Sequence, residues 1–324
     1  MPARLLYTGQ VVVDLVMALD ALPRSGGDVL ASSAAFETGG GFNVMAAARR
    51  NGLQTVYLGR HGQGRFGDLA RQAMTVEGIE IATAASSDQD TGLSVALIEP
   101  SAERSFISYV GAEGGLSAQD LRSVVVQPDD FVFVSGYSLL HKNKVSTLLS
   151  WLGELPQGAD VVFDPGPLVN SPDGAEMQAV LPLITLWTSN CEEALRFTGC
   201  EAIADALVKL AQWLNDDALI VVRDGPQGCW IRQGSDEQHV RGFPVTAIDT
   251  NGAGDAHAGV LLAGLASGLS AQQAALRANA AAAIAVTRWG PATAPLAAEV
   301  DEKVAGASCM VISARSCPRE SPAS

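Results

Sequence analysis

Short apolar runs suited to strands alternate with helix-period segments along most of this chain, and that alternation limits what it can fold into. Leu5–Val13, Thr55–Gly59, Phe131–Val134, Val161–Asp164, Leu186–Ser189 and Leu219–Arg223 read as buried strands. Val44–Asn51, Leu69–Glu77, Val145–Leu152 and Ile203–Trp213 carry helical spacing. Strands separated by helices imply an α/β fold, with a largely parallel sheet covered on both faces. At 324 residues the chain can bury a large core, so one domain over residues 1–300 fits its length. Two regions, 14–38 and 91–110, break the rhythm with period-2 stretches such as Leu93-Ser-Val-Ala-Leu-Ile and Arg104-Ser-Phe-Ile-Ser-Tyr. They predict a small antiparallel flap. From Asp301 the sequence mixes Ser, Pro, Arg and Cys without period, which predicts a poorly ordered tail over 301–324.

The run Asp249-Thr-Asn-Gly-Ala-Gly-Asp255 lies between Val240–Ile248, which alternates as a strand does, and Ala256–Ala266, small and apolar enough for a buried helix. Gly252, Ala253 and Gly254 let consecutive N–H groups converge at a helix N-terminus, a setting that attracts phosphate or developing negative charge. Asp255 then has two readings. It takes the proton of an attacking hydroxyl, or it is an Asp that the helix dipole favours in a first turn. The heptapeptide as a whole supports the first.

This heptapeptide resembles the C-terminal signature of the ribokinase-like (PfkB-type) carbohydrate kinases, which phosphorylate a sugar or nucleoside hydroxyl with ATP. Gly39-Gly40-Gly41-Phe42-Asn43 resembles their N-terminal signature, and Gly52 and Gly62 fall at the family's further spacings. The resemblance spans residues 5–297 and implies a three-layer sandwich with a mainly parallel sheet. It also implies a small β lid, which relatives often use to form a homodimer. By the same resemblance Asp255 is the base and Gly252, Ala253 and Gly254 form the anion nest. Asp14, Gly39, Gly40, Gly41 and Asn43 hold the acceptor. Asn190 and Glu193 match the family's Asn-x-x-Glu, which organises phosphates and, through water, Mg²⁺. Arg223, Gly225 and Gly228 belong to a loop beside the nucleotide, and Asn279 to the helix on its adenine side. Potassium is implied at Asp249, Asn251, Ala285, Arg288, Gly290 and Ala294, mostly through backbone carbonyls.

Several of these residues have plainer readings as local sequence. Asn190 with Glu193 three residues on is a capping arrangement. Gly225-Pro-Gln-Gly228 is a tight turn, and Asp14 an ordinary strand-end acid. Three departures bear on the acceptor. Val12 stands where ribokinase proper has Asn, the glycine run lacks a Lys, and Ser135-Gly-Tyr-Ser-Leu-Leu lacks an expected Glu. These losses leave the acceptor open: ribose, fructose-type ketoses, deoxy acids and nucleosides all fit the same scaffold. Phe42 and Tyr137 either line a pocket for a larger acceptor or simply pack, and Arg104 lies in the flap. Gly64 replaces a usual Asp. His257 replaces a usual Phe; it either tunes the local field or, as its apolar helical neighbours favour, is a hydrogen-bonded core histidine.

Other classes fare worse. A net charge of −14 argues against nucleic acid or an anionic membrane as partner. Five Cys without a C-x-x-C pair suit a reduced cytoplasmic protein, and no signal-peptide or membrane-spanning run is evident. Gly62-Gln-Gly64-Arg-Phe-Gly67 matches the dinucleotide fingerprint in letters, but it follows a second strand–helix unit rather than opening the fold. There is no G-x-x-x-x-G-K-[ST]. A sugar-binding sensor without catalysis would be expected to have lost part of the set Asp255, Gly252–Gly254, Asn190 and Glu193.

Overall fold

The computed structural model describes residues 2–100 and 104–315. Its main sheet has nine strands: β1 (Arg4–Tyr7), β4 (Gln54–Tyr57), β5 (Glu80–Ile81), β8 (Phe131–Ser135), β9 (Asp160–Asp164), β10 (Leu186–Asn190), β11 (Leu219–Arg223), β12 (Gly228–Gln233) and β13 (Asp236–Arg241). Their order is β13-β12-β11-β10-β9-β8-β1-β4-β5. All neighbours pair in parallel except β11–β12 and β12–β13, which are antiparallel at one edge.

Alternate residues of the central strands enter opposite cores, which is why these strands read as continuous apolar runs. Leu5, Phe131, Phe133 and Val221 meet Met45, Leu261 and Ala274 on one face. Leu6, Val132, Val134 and Val222 meet Leu148, Phe197 and Leu207 on the other. The resulting three-layer sandwich is the expected fold.

The lid is a separate four-stranded sheet of order β3-β2-β6-β7, made of β2 (Val11–Ala18), β3 (Ser33–Gly40), β6 (Leu93–Ile98) and β7 (Arg104–Tyr109). Two antiparallel pairs, β2–β3 and β6–β7, are joined by the parallel pairing of β2 with β6. The side chain of Arg104 lies outside the described residues.

Three expectations about element boundaries need correction. The run Leu5–Val13 is two strands rather than one. The Thr8 N–H and hydroxyl both bind the Phe133 carbonyl, and the chain then leaves the main sheet for the lid. Asp14 consequently lies inside β2, not after a strand. The expected strand Val240–Ile248 stops at Arg241. β12 begins at Gly228, the register partner of Arg241, so residues past Gly242 have no neighbour to pair with. Finally, a helix spans Ala297–Arg315, so helical backbone continues past Asp301, where period was expected to end. Residues 316–324 lie outside the described residues. Among the described residues no helix is long and apolar enough to cross a membrane.

Candidate active site

The helix Ala253–Ala266 starts from Gly252, whose φ of 72° is left-handed. A Cβ there would also overlap the Pro291 carbonyl, so both conformation and space demand glycine. The Ala253 N–H bonds the Thr250 carbonyl at 3.3 Å. That leaves Gly254 and Asp255 as the first-turn donors with no intrahelical carbonyl to reach.

Facing this turn is the helix Gly41–Arg50. The two helices approach closely because residue 259 is glycine; a Cβ there would overlap the Val44 carbonyl. Their approach brings residues 212 positions apart together: Asn43 Nδ2 donates to Asp255 Oδ2 at 3.1 Å. Asn43 is buried, and its Oδ1 has no partner. A buried acceptor left open beside a carboxylate is suited to a hydroxyl that donates to one and is deprotonated by the other.

Burial raises the Asp255 carboxyl from its usual value to about 6. The Asn43 bond and the Arg223 charge pull the other way, while Asp164 and Glu193 add to the rise. A carboxylate at its reference pKa of about 3.9 is a weak base. The environment here strengthens it.

Asp14 projects from β2 against Gly39 of the paired strand β3, and a Cβ on Gly39 would overlap its Oδ2. Burial and the charge of Glu37 raise Asp14 to about 6 as well. Gly40 ends β3, and the N–H of Gly41 donates to the Gln10 carbonyl at 2.8 Å, which ties the glycine run to the β1–β2 link.

Arg223, the last residue of β11, reaches under the helix start. Its Nη1 donates to Thr188 Oγ1 at 2.9 Å, and its Nη2 lies 3.3 Å from Asp164 Oδ2 and 3.7 Å from Glu193 Oε2. A Cβ on Gly254 would sit 3.4 Å from its guanidinium. Asp164, a functional candidate that sequence reasoning missed, ends the central strand β9. A carboxylate at the C-terminal end of a parallel strand was the available signal.

Asn190 and Glu193 form a full capping box: Asn190 Oδ1 accepts the Glu193 N–H and Glu193 Oε2 accepts the Asn190 N–H, each at 2.8 Å. Glu193 is raised by burial first and Asp164 second, and its Oε2 also lies 3.7 Å from Arg223 Nη2. That set suits a hydrated Mg²⁺ held through its waters. Among the described residues no cluster of three acidic, His or Cys side chains could enclose a metal by itself.

Gly225–Gln227 forms a single 3₁₀ turn, and Gly228 then opens β12. Asn279 is buried. Its Nδ2 donates to the Val240 carbonyl at 2.8 Å and its Oδ1 faces His257 Nε2 at 3.2 Å. Its amide therefore holds a helix to the end of β13, where Arg241 pairs with Gly228. His257, lowered to about 3 by burial first and Arg223 second, is a neutral core residue. Phe42 packs in the core. Tyr137, 37% exposed, lies against Gly166 and feels the charges of Glu193, Asp164 and Asp255.

At the expected cation loop, Asp249 accepts the N–H groups of Asn251 at 2.8 Å and Gly290 at 3.1 Å. The Ala285 carbonyl already accepts Thr293 Oγ1 and the Arg288 N–H, and the Ala294 carbonyl accepts Arg50 Nη1 at 2.8 Å. A guanidinium thus occupies part of the oxygen set a cation would need.

The dinucleotide fingerprint has an internal explanation. Asp90 accepts the N–H groups of Phe66 and Gly67 at 3.0 and 2.9 Å, so a carboxylate of the chain sits where a pyrophosphate would bind.

Comparison with known proteins shows the family. The family model described as pfkB family carbohydrate kinase matches residues 3–298. An uncharacterized sugar kinase of Escherichia coli K12, YegV, is 33% identical over 300 residues, covering 91% of this chain and 92% of that protein. The ribokinase structure from Giardia lamblia superposes with a TM-score of 0.81 at 22% identity, covering 94% of this chain and 99% of that one. The ribokinase of Arabidopsis thaliana, complexed with ribose and ATP, superposes with a TM-score of 0.76 at 20% identity and the same coverage. With the match running over nearly its whole length, this chain belongs to the pfkB family of carbohydrate kinases, phosphotransferases whose acceptor is a hydroxyl group.

Proposed function

We propose that this protein transfers the terminal phosphoryl group of ATP to a primary hydroxyl of a sugar or sugar-like acceptor, with Asp255 as the base. The observation that carries this reading is the Asn43–Asp255 pair at the start of the Gly252-capped helix: a strengthened carboxylate, an open amide oxygen and first-turn N–H groups in one place. Asp255 takes the acceptor's proton as the hydroxyl oxygen bonds to phosphorus and the bond to the ADP oxygen breaks. The N–H groups of Gly254 and Asp255, together with Arg223, offset the charge on the transferring group, and phosphoryl transfer depends mostly on such positioning and electrostatics. Asp14, Gly39, Gly40, Gly41 and Asn43 hold the acceptor under the lid, which excludes water.

The nucleotide belongs beside the Gly225–Gly228 loop. Asn279 supports that loop through β13, and Glu193 and Asn190 stand beside the phosphates. Mg²⁺, when bound, supplies charge neutralisation at the phosphates. Potassium against Asp249 would share its carbonyl ligands with Arg50 and Thr293.

Exposed apolar side chains on the outer lid strands, Phe36, Phe106, Ile107 and Tyr109, support a homodimer through the lid. A reduced cytoplasmic setting is part of the same proposal, supported by the unpaired Cys191, Cys200 and Cys229.

The test is ADP release from Mg-ATP across pentoses, ketohexoses, sugar acids, phosphosugars and nucleosides, with and without potassium. Saturable turnover with one class supports the proposal. Absence of acceptor-dependent ADP release in every class would contradict it.

A further inference from the structure

Lys144 lies in the first turn of the helix Lys142–Leu152 and is fully buried, yet its Nζ has no hydrogen-bond partner. Six residues earlier Ser138, also fully buried, carries an Oγ without a partner. The acid whose charge Lys144 feels is Glu113, but its two oxygens are committed elsewhere. They accept the N–H groups of Gly92 and Gly111, each at 2.8 Å, and fix the root of the lid. A buried ammonium without a direct hydrogen bond carries a large desolvation cost, and a structural role alone would be served as well by an apolar side chain. Burial lowers Lys144 to about 8, against the pull of Glu113, so the amine stays mostly charged at neutral pH.

The segment that carries both residues adjoins the acceptor end. The Gly41 N–H binds the Gln10 carbonyl, Gln10 Nε2 lies 2.6 Å from His141 Nε2, and the His141 carbonyl accepts the Lys144 N–H at 2.8 Å. Tyr137, on the same segment, feels the charge of Asp255. The strand end before it, Ser135-Gly-Tyr-Ser, presents no carboxylate, so nothing in that stretch repels an anion.

We propose that Lys144 and Ser138, braced by the Gln10–His141 contact, recognise an anionic group on the acceptor, a carboxylate or a phosphate. The acceptor would then be an acidic polyol rather than a neutral pentose or ketose. This inference rests on the kinase reading above and narrows its substrate class.

The experiment compares matched acceptors of one carbon skeleton: a neutral sugar, its sugar acid and its monophosphate. Each is assayed for ADP release with the unmodified chain and with Lys144→Gln and Lys144→Arg. A charge-assisted hydrogen bond is the contact at stake, so kcat/KM for the preferred anionic acceptor should fall about 10²-fold in Lys144→Gln. Lys144→Arg should recover part of the loss, and the neutral sugar and the KM for ATP should be unaffected. The acid and phosphate arms separate the two sources of negative charge.

Equal loss for neutral and anionic acceptors would assign Lys144 to structure and overturn the inference. So would efficient turnover of the neutral sugar alone, while leaving the kinase reading intact. Absence of turnover with every acceptor would instead count against the kinase reading. If Lys144→Gln does not fold, thermal stabilisation of the unmodified chain decides: a larger shift from the anionic than from the neutral member supports the proposal, and equal shifts overturn it.

Discussion

Asp255 is held between opposing influences, and their balance sets its chemistry. Burial and the neighbouring acids raise it to about 6, while Asn43 and Arg223 keep the charged form accessible. The ionised form is the base, so kcat/KM should fall as pH drops through about 6 rather than through the ordinary carboxylate range. Asp14, also raised to about 6, makes the acid limb steeper than a single ionisation. A pH–rate profile checks both statements.

The same shift has a stability consequence. The folded pKa lies above the unfolded one, so the cost of the charged form sets in above about pH 4 and is complete above about pH 6. Asp255→Asn should therefore raise the Tm at pH 7.5 and lose that advantage near pH 4, which thermal melts at the two pH values would show. Asp255, Gly252 and Asn43 were legible because short motifs carry them. Asp164 was not: nothing in Val161-Val-Phe-Asp shows that this strand lies centrally, beside the one that ends in Thr188-Ser-Asn. Asn279 had a legible position but not its task, because its carbonyl partners at Val240 and Arg241 are set by tertiary packing.

Elements carry the site through close approaches. The helix Ala253–Ala266 has no dominant apolar face to read, because nine of its fourteen residues are buried and the rest half-buried. What orders it is space: Gly252 against Pro291 and Gly259 against Val44. Gly252→Ala combines a left-handed backbone with overlap on a carbonyl and should cost at least about 1–3 kcal/mol, read as a fall in denaturation midpoint. Asn279→Ala should leave His257 and the Val240 carbonyl without their partner. The loss is about 1–3 kcal/mol of stability, and the KM for ATP should rise because the end of β13 loosens beside Gly228; melts and steady-state kinetics test the two parts. Hydrophobic periodicity identified β1, β4, β8, β9, β10 and β11, whose apolar runs are buried, but not β5 and β12, which are partly exposed. It could not locate the break at Thr8–Gln10, where the run stays apolar while the chain changes sheets. Nor could it end β13, because alternation persists through Phe243 and Val245 after pairing partners run out.

At the scale of the molecule, two sheets with different tasks are built from interleaved stretches of one chain. The nine-stranded sheet aligns Asp164, Asn190 and Arg223 at its strand ends, and the lid carries Asp14 and Gly39 on its paired strands β2 and β3. The lid's exposed apolar side chains predict self-association. Ile107→Asp, placed at a position 67% exposed, should shift the protein from dimer to monomer in sedimentation without unfolding it. Order of strands and helices sufficed to read the α/β sandwich from the sequence. The parallel joint between β2 and β6 was hidden, because its partners are about 80 residues apart and share only a period of two. The proposed role of Asp255 as the base is what every other assignment at the site depends on. Its most direct test is kcat for acceptor-dependent ADP release by Asp255→Asn at saturating substrates, alongside acceptor binding by calorimetry. The expected result is a fall of roughly 10²–10⁴-fold with binding retained. Turnover close to that of the unmodified protein would contradict it.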